Sequence, residues 1–195
     1  MVEPSRSKAP GAACRRRWRI GAVAGLAGAA LALPPALQPA PWLVWNASPS
    51  VPIGLYWVGA RAPLGPGDTV VAWLPSAARA LAGHRGYLPV AVPAVKRVAA
   101  AAGARVCAHG ASVAIDGRRV ATRLAADRRG RPLPWWHGCR TLAPGEIFLL
   151  AARSADSFDG RYFGPSPAAD VIGRAYLLWA PGAPRGAARR EGDRR

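Results

Sequence analysis

The amino-acid sequence predicts a mainly β fold that follows one N-terminal membrane helix. Hydrophobic residues make up 51% of the 195 residues, which is enough for a packed core. The 22 glycines and 20 prolines, in contrast, interrupt the chain too often for long regular helices. Short apolar runs rich in Val, Leu and Trp are separated by turn residues, and this pattern is typical of strands.

The membrane helix is predicted from residues 20–45, which follow a basic tail at residues 1–19. Four arginines lie between residues 15 and 19, and the sequence after them is uncharged as far as Trp45. An uncharged stretch of this length is sufficient to cross a bilayer, and tryptophans lie at both of its ends, where interfacial aromatic residues are common. The arginine cluster predicts a cytoplasmic N-terminus and an extracytoplasmic remainder. A cleavable signal peptide that ends near Ala30-Leu31-Ala32 is the competing interpretation.

Residues 46–180 form the predicted extracytoplasmic domain. A turn is predicted at residues 65–68 and a short helical turn at residues 77–82. Asp116-Gly117 is a favoured hairpin turn, and residues 154–167 are predicted to form a loop. The predicted strands are residues 54–58, 69–74, 90–102, 106–115, 120–124, 146–151 and 171–179. The remaining residues, 181–195, form a basic tail that is expected to be disordered.

The net charge of +17 first suggests nucleic-acid binding, so the location of the charge matters. The two terminal tails carry +8 of it, and the rest is dispersed as single arginines or short clusters. Zinc-finger spacing, a basic helix and an aromatic–glycine RNA-binding motif are all absent from the sequence. Arginine outnumbers lysine 25 to 2, which indicates a compositional bias. We therefore predict no nucleic-acid partner.

The three cysteines divide between the two sides of the predicted membrane helix. Cys14 lies on the cytoplasmic side and is expected to be a free thiol. Cys107 and Cys139 lie in the exported part, where oxidation is the default, so a disulfide between them is predicted. The alternative is a zinc site, because Cys107-x-His109 and His137-x-Cys139 each place two ligands on one face of a strand. That spacing matches no known zinc motif, and we predict no metal and no cofactor.

Lys96 is the most informative titratable residue. It is the only lysine after the predicted anchor, and its neighbours apart from Arg97 are apolar. Burial disfavours the ammonium form and lowers its pKa, and a neutral amine can take a proton from a serine hydroxyl. The simpler interpretation is a lysine that reaches from a strand to solvent. The three histidines (His84, His109 and His137) lie in turn-like contexts and are expected to be surface residues.

The stretch around Ser50 carries a resemblance to a known family. Residues 46–56 read Asn-Ala-Ser-Pro-Ser-Val-Pro-Ile-Gly-Leu-Tyr. This resembles the nucleophile segment of signal peptidases that use a Ser–Lys dyad, most closely the conjugative-transfer (TraF-like) branch. Three further blocks follow in the order that the family shows: Gly67-Asp68, Lys96-Arg97-Val98 and residues 157–164. The similarity extends over residues 15–180.

The resemblance implies a role for each matching residue. Ser50 corresponds to the nucleophile, Lys96 to the general base and Ser157 to the serine that orients the lysine amine. Ser48 corresponds to a position whose hydroxyl helps the Ser50 N–H to bind the oxyanion, although Ser48 is equally suited to cap a turn.

The last matching block also contains a departure from the family. Asp159 and Arg161 are expected to form a structural ion pair near the site. The chain has Gly160 between them where the family commonly has serine. The glycine removes a hydroxyl near the site, which leaves the rigidity of the loop open and the primary chemistry unchanged.

The resemblance also implies the architecture and the activity. It implies a signal-peptidase β-fold in which residues 103–140 form a small inserted subdomain stapled by the predicted disulfide. The expected enzyme is a single-pass serine endopeptidase of the cytoplasmic membrane, in contact with membrane lipid. Its expected substrate is a pilin-like precursor with small residues before the cleavage site. Some members of the branch join the new ends into a circular pilin, so hydrolysis and cyclisation both stay open.

Three other functions compete with this prediction. A housekeeping signal peptidase I is disfavoured because that branch usually has Met-x-Pro-Thr after the nucleophile, where this chain has Pro-x-Gly-Leu-Tyr. A self-cleaving repressor also uses a Ser–Lys dyad, but it would need a DNA-binding domain and no membrane helix. This sequence predicts the reverse, so the repressor is disfavoured. A non-catalytic structural component of a pilus or secretion assembly is disfavoured because both dyad residues are present.

Overall fold

The computed structural model describes residues 41–61 and 63–181, together with Ala22. The predicted N-terminal tail, the predicted anchor up to residue 40 apart from Ala22, and the tail beyond residue 181 lie outside the described residues. Of the helices in the described part, none has both the length and the apolar composition needed to cross a bilayer. All the elements below belong to the compact unit that begins at Pro41.

The described unit is built mainly of β-strands, as predicted. Its two α-helices are α1 (Ser76–Arg85) and α2 (Gly160–Phe163), and a 3-10 turn covers Ala168–Asp170. In chain order the strands are β1 (Leu43–Asn46), β2 (Gly54–Val58), β3 (Thr69–Ala72), β4 (Ala94–Ala101), β5 (Arg105–His109), β6 (Ser112–Ile115), β7 (Arg118–Thr122), β8 (Gly138–Thr141), β9 (Glu146–Leu150), β10 (Ser166–Pro167) and β11 (Val171–Trp179).

The strands form two antiparallel sheets. The larger sheet has the order β1-β2-β11-β3-β4-β9-β10, and the smaller has the order β7-β6-β5-β8. In the larger sheet β4 lies between β3 and β9, but β9 pairs with it only from Arg97 onwards. Residues 94–96 therefore lack a β9 partner, and the chain segments of the candidate site approach β4 there.

The smaller sheet packs on the larger one through a shared core. Val106, Ala108 and Val113 of the smaller sheet are fully buried in one cluster with Phe148 and Leu150 of β9. Since about 25 cal/mol is gained per Å² of apolar surface that is buried, this contact stabilises both sheets together. The strands of the smaller sheet run from Arg105 to Thr141 and thus overlap the predicted insert, residues 103–140. This sheet shares the core of the domain.

Most predicted strands are present in the structure. Strands β2 and β11 have the predicted bounds, and the hairpin from β6 to β7 turns at Asp116-Gly117 as predicted. Both turn residues have positive φ angles, 48° and 79°, as a type I′ turn requires. The predicted single strand over residues 106–115 is instead two strands, because Gly110 (φ 50°) reverses the chain between β5 and β6.

Other boundaries also differ from the prediction. The predicted anchor extended to Trp45, but β1 begins at Leu43 and pairs with β2. The last three residues of the predicted anchor, 43–45, therefore belong to the sheet. Helix α1 has ten residues where a short helical turn was expected. The predicted loop over residues 154–167 contains α2, whose first turn is capped by the side chain of Asp159.

Candidate active site

Ser50 lies in a loop between β1 and β2 that the side chain of Asn46 organises. The Asn46 amide donates to the carbonyl oxygens of Ser48 (2.8 Å), Val51 (3.1 Å) and Pro52 (3.1 Å). Its own oxygen accepts from the backbone N–H of Ser48 at 3.3 Å. Asn46 is buried, so these bonds are shielded from competition with water and hold the loop in one conformation.

Sequence reasoning assigned no role to Asn46, although the residue was part of the matching motif. Its position at the end of an apolar strand and before two serines was the available signal. Asx side chains in such positions commonly bond the backbone two residues further along. Tyr56 adds a second support, because its hydroxyl donates to the carbonyl oxygen of Pro52 at 2.7 Å.

The Ser50 side chain is 9% exposed and points toward strand β4. Its hydroxyl is 2.7 Å from the hydroxyl of Ser48 and 3.4 Å from the carbonyl oxygen of Val95, and either oxygen can accept its single proton. Ser48 also donates to Asn46 Oδ1 at 3.2 Å, so it takes part in the turn as well as contacting Ser50.

Lys96 follows Val95 on β4 and is buried, with 7% of its surface exposed. Its Nζ donates to the hydroxyl of Ser157 at 2.6 Å. Burial lowers the pKa of Lys96 from 10.5 to about 8; Asp159 acts against this shift and Arg161 acts with it. The simpler interpretation, a lysine that extends into solvent, does not describe this side chain.

Ser50 and Lys96 line one cleft of about 680 Å³, together with Ser48 and Ser157. Among the described residues, the hydrogen-bond partners of the Ser50 hydroxyl are Ser48 and Val95, and that of the Lys96 amine is Ser157. In ligand-free enzymes catalytic hydrogen bonds are often long and close only around the substrate. The cleft thus holds a serine hydroxyl, a buried amine of lowered pKa and a serine that contacts this amine.

Asp159 and Arg161 brace the loop that carries Ser157. Their side chains, exposed by 0% and 2%, form an ion pair with Nε and Oδ1 2.8 Å apart. Asp159 also accepts from the N–H of Ala151 at 2.9 Å, and Arg161 donates to the Ala151 carbonyl oxygen at 2.8 Å. A further bond of 3.3 Å joins Arg161 to Thr122 of β7. The pair therefore fixes both ends of the 151–159 loop and ties it to the smaller sheet.

The structure leaves no room for a side chain at Gly160, and the effect of this glycine on loop rigidity stays a prediction. A Cβ atom at residue 160 would lie 2.7 Å from the carbonyl oxygen of Leu149 and 2.9 Å from the ring of Phe148. The absence of a side chain allows α2 to approach β9 this closely. The Gly160 carbonyl oxygen also accepts from Trp136 Nε1 at 2.9 Å, so the loop is held on two sides.

The remaining candidates lie away from the cleft. Cys107 and Cys139 are opposite each other on β5 and β8 and are joined by a disulfide with an S–S distance of 2.07 Å. His109 Nε2 is 3.4 Å from Cys139 Sγ, so three of the four residues of the zinc alternative lie together, with both sulfurs bonded to each other. All three histidines are exposed and none lines the cleft.

Comparisons with known proteins find one matching family and several similar proteins. The family described as "Signal peptidase, peptidase S26" matches residues 15–180. A probable conjugal transfer protein TraF of Sinorhizobium fredii (strain NBRC 101917 / NGR234) is 37% identical over 148 residues, which is 70% of this chain and 77% of that protein. A plasmid transfer protein TraF of Escherichia coli is 37% identical over 146 residues, covering 69% of this chain and 82% of that protein.

A third relative and one solved structure complete the comparison. The conjugal transfer protein TraF of Agrobacterium fabrum (strain C58 / ATCC 33970) is 36% identical over 140 residues, which is 67% of this chain and 78% of that protein. A crystal structure of a signal peptidase I from Enterococcus faecalis V583 matches with a TM-score of 0.35 and 16% identity, over 58% of this chain and 97% of that one. By the extent of the family match and the identity to the TraF proteins, this chain belongs to the peptidase S26 family of signal peptidases, in its TraF-like branch.

Proposed function

We propose that this chain is a membrane-bound serine endopeptidase that cleaves an exported precursor by a Ser50–Lys96 dyad. The observation that carries the proposal is the buried Lys96 amine, which contacts Ser157 at 2.6 Å and shares the cleft with Ser50. Because its pKa is lowered to about 8, about a tenth of the amine is neutral at pH 7. A lysine exposed to water would be almost wholly protonated there.

The proposed reaction has two halves. Neutral Lys96 takes the proton from the Ser50 hydroxyl, and the Ser50 oxygen attacks the peptide carbonyl carbon. The Ser50 N–H, assisted by the Ser48 hydroxyl, stabilises the oxyanion, and the proton passes from Lys96 to the leaving amine. Lys96 then takes a proton from the attacking water, the ester bond breaks, and the Ser50 hydroxyl is restored. Ser157 holds the amine in position throughout.

The proposed substrate is a pilin subunit of a conjugative DNA-transfer apparatus. The similarity to conjugal and plasmid transfer proteins favours this assignment over a housekeeping signal peptidase I. The family accepts small, Ala-x-Ala-like residues before the cleavage point, and we propose the same preference for this chain. When the attacking group is the amine at the other end of the pilin in place of water, the product is a ring.

The proposed location is the cytoplasmic membrane, with the catalytic domain on its outer side. The outer face of the β1-β2-β11 region supports this location, because its exposed residues are aromatic or aliphatic. We call this surface the aromatic face; it consists of Leu43, Trp45, Trp57, Tyr176 and Trp179. Tryptophan and tyrosine are the residues that favour the interface between membrane and water. Trp45 also lines the cleft, so the aromatic face continues into the proposed site.

The test is co-expression of the chain with a pilin precursor, followed by mass spectrometry of the product. Ser50→Ala and Lys96→Met are expected to abolish processing, whereas Ser154→Ala, at another serine of the cleft lining, is expected to retain it. A linear product retains the mass of the added water and a cyclic product lacks it. Processing by both dyad variants would refute the dyad. If neither the wild-type chain nor any variant processes the precursor, the non-catalytic structural alternative is favoured.

The pH dependence provides an independent test of the base. Below the Lys96 pKa of about 8, the neutral fraction falls about tenfold for each pH unit, so kcat/KM is expected to fall with it. A rate that stays constant from pH 8 to pH 6 would contradict the assignment of Lys96.

A further inference from the structure

The cleft that contains Ser50 and Lys96 is also rich in arginine. Four arginines line it, against two acidic residues, Asp127 and Asp156. We call these arginines the arginine rim; they are Arg85, Arg128, Arg129 and Arg131. The lining therefore has an excess of positive charge even without Lys96. None of the roles assigned above requires this charge.

Hydrogen bonds hold the backbone of the turn that carries three of the four rim arginines, Arg128, Arg129 and Arg131. Asp127 organises the turn of residues 127–131: its Oδ1 accepts from the N–H groups of Arg129 (2.8 Å) and Arg131 (2.9 Å). Its Oδ2 accepts from the Tyr87 hydroxyl at 2.5 Å and from Arg131 Nε at 2.7 Å. With both carboxylate oxygens engaged, the turn is fixed to the segment that follows α1.

The four rim arginines differ in whether their guanidinium groups already have a hydrogen-bond or ion-pair partner. Arg131 is paired with Asp127, and Arg85 donates to the Pro132 carbonyl oxygen at 2.8 Å. Arg128 forms an ion pair with Asp156, but the two side chains are 82% and 45% exposed. Exposed pairs of this kind contribute little to stability, so Arg128 can exchange its partner at small cost. In the described part of the chain the guanidinium of Arg129 has no hydrogen-bond or ion-pair partner.

We propose that Arg128 and Arg129 form a subsite that binds a carboxylate of the precursor, in the segment that occupies the cleft. This inference rests on the proposed function, because it takes the occupant of the cleft to be the precursor chain. Arginine suits this role because its planar donors match the two oxygens of a carboxylate. The carboxylate can belong to an acidic side chain or to a free C-terminus close to the scissile bond. Asp156 precedes Ser157, so the exchange takes place beside the residue that contacts Lys96.

The experiment measures binding separately from cleavage. The full-length chain carrying Ser50→Ala, in detergent, is titrated with fluorescently labelled peptides that contain an Ala-x-Ala cleavage sequence. One set carries Glu or Gln at each successive position around the cleavage point. A second set carries a C-terminal carboxylate or carboxamide at increasing distance from it. At one position or more, the acidic peptide is expected to bind on the order of tenfold more tightly than its neutral partner.

Substitutions then assign the preference to the rim. Arg128→Gln with Arg129→Gln is expected to remove the difference between acidic and neutral peptides. Arg118→Gln with Arg119→Gln is the matched control, because these adjacent arginines are exposed on β7 and do not line the cleft. Arg129→Glu is expected to reverse the preference toward a peptide that carries Lys at the selected position.

Each outcome decides the proposal. A preference for Glu identifies a side chain as the source of the carboxylate, and a preference for the free C-terminus identifies the chain end; either supports the subsite. Equal affinity for acidic and neutral peptides, no peptide binding, or an equal loss in the control pair overturns it. Acidic peptides that bind through the rim but are not cleaved by the wild-type chain leave the subsite standing and refute the proposed peptidase activity.

Discussion

At the scale of single residues, the burial of the Lys96 amine has a cost in stability as well as its proposed use in catalysis. The fall of its pKa from 10.5 to about 8, caused chiefly by burial, corresponds to about 3 kcal/mol. Below pH 8 the amine is charged in both the folded and unfolded states, and the folded state bears the full penalty. Between pH 8 and pH 10.5 the unfolded state binds more protons, so the free energy of unfolding rises with pH.

Replacing Lys96 by methionine is therefore expected to change the pH dependence of stability. Methionine has a similar length and carries no charge, so its advantage over lysine is present at pH 7 and shrinks by up to about 3 kcal/mol between pH 8 and pH 10.5. Urea unfolding of the full-length chain in detergent measures this difference. Arg97→Met, at the exposed neighbour on β4, is the control and is expected to show no such trend. A constant difference between the wild-type protein and the Lys96→Met variant over this range would contradict the lowered pKa.

Ser157 is expected to act through the position of the lysine amine. Ser157→Ala removes the hydroxyl that lies 2.6 Å from Lys96 Nζ, and misplacing a catalytic group by about 1 Å can cost about 100-fold in rate. We expect kcat to fall by about 10- to 100-fold with little change in stability. Precursor cleavage measures the rate, and Ser154→Ala in the same loop is the matched control. An unchanged kcat in the Ser157 variant would remove its assigned role.

At the scale of elements, the contact between α2 and β9 determines where Ser157 lies. The loop between these elements is closed at both ends by the buried pair of Asp159 and Arg161. Removing one partner of a buried ion pair leaves an uncompensated charge, which typically costs several kcal/mol. The loop is short and well braced, so it holds its serine in position without a side chain at residue 160.

Gly160→Ser tests whether the glycine is required for this contact. The new Cβ would lie 2.7 Å from the backbone oxygen of Leu149, which cannot move as a flexible side chain does. Overpacking of this kind costs about 1–3 kcal/mol, and we expect a lower free energy of unfolding with reduced cleavage. Gly65→Ala is the control, since the nearest atom to a Cβ there is 3.9 Å away. Equal stability of the two variants would show that α2 can shift without loss.

At the scale of the whole domain, the smaller sheet is attached by a shared core and by one disulfide. Removing the disulfide with Cys107→Ser and Cys139→Ser should lower the free energy of unfolding by about 2–4 kcal/mol, because the unfolded chain regains the freedom of a loop with a sequence separation of 32. Cleavage at permissive temperature is expected to persist, since neither cysteine lines the cleft. Thiol alkylation provides the chemical check: one reactive cysteine without reductant and three with it. Three without reductant would exclude the bond.

The aromatic face is expected to matter only for substrates that lie in a membrane. Trp57→Ser with Tyr176→Ser removes an exposed ring pair whose centroids are 5.3 Å apart. We expect kcat/KM to fall severalfold for a precursor in lipid vesicles and to stay unchanged for a soluble peptide, which serves as the control. An equal loss on both substrates would instead indicate damage to the fold.

Features that depend on local sequence were predicted better than features that depend on distant residues. Strands β2 and β11 and the Asp116-Gly117 hairpin were predictable, because alternation of apolar residues and the φ preferences of turn residues are local properties. The division between β5 and β6 at Gly110 was missed because the apolar run continues across it. The lone lysine among apolar residues identified Lys96 as a candidate base before any contact was known.

What only the tertiary structure decided concerns residues far apart in the chain. The register of β3, β4 and β9 leaves residues 94–96 open on one side, and this opening brings Ser50 within 3.4 Å of Val95 across 45 residues. The contact from Lys96 to Ser157 spans 61 residues, and the close approach that requires Gly160 depends on how α2 packs on β9. By itself the sequence determined the mainly β class, the turns and the residue types available for catalysis. Their distances, their burial and the arginine rim depend on long-range packing, which local preferences do not encode.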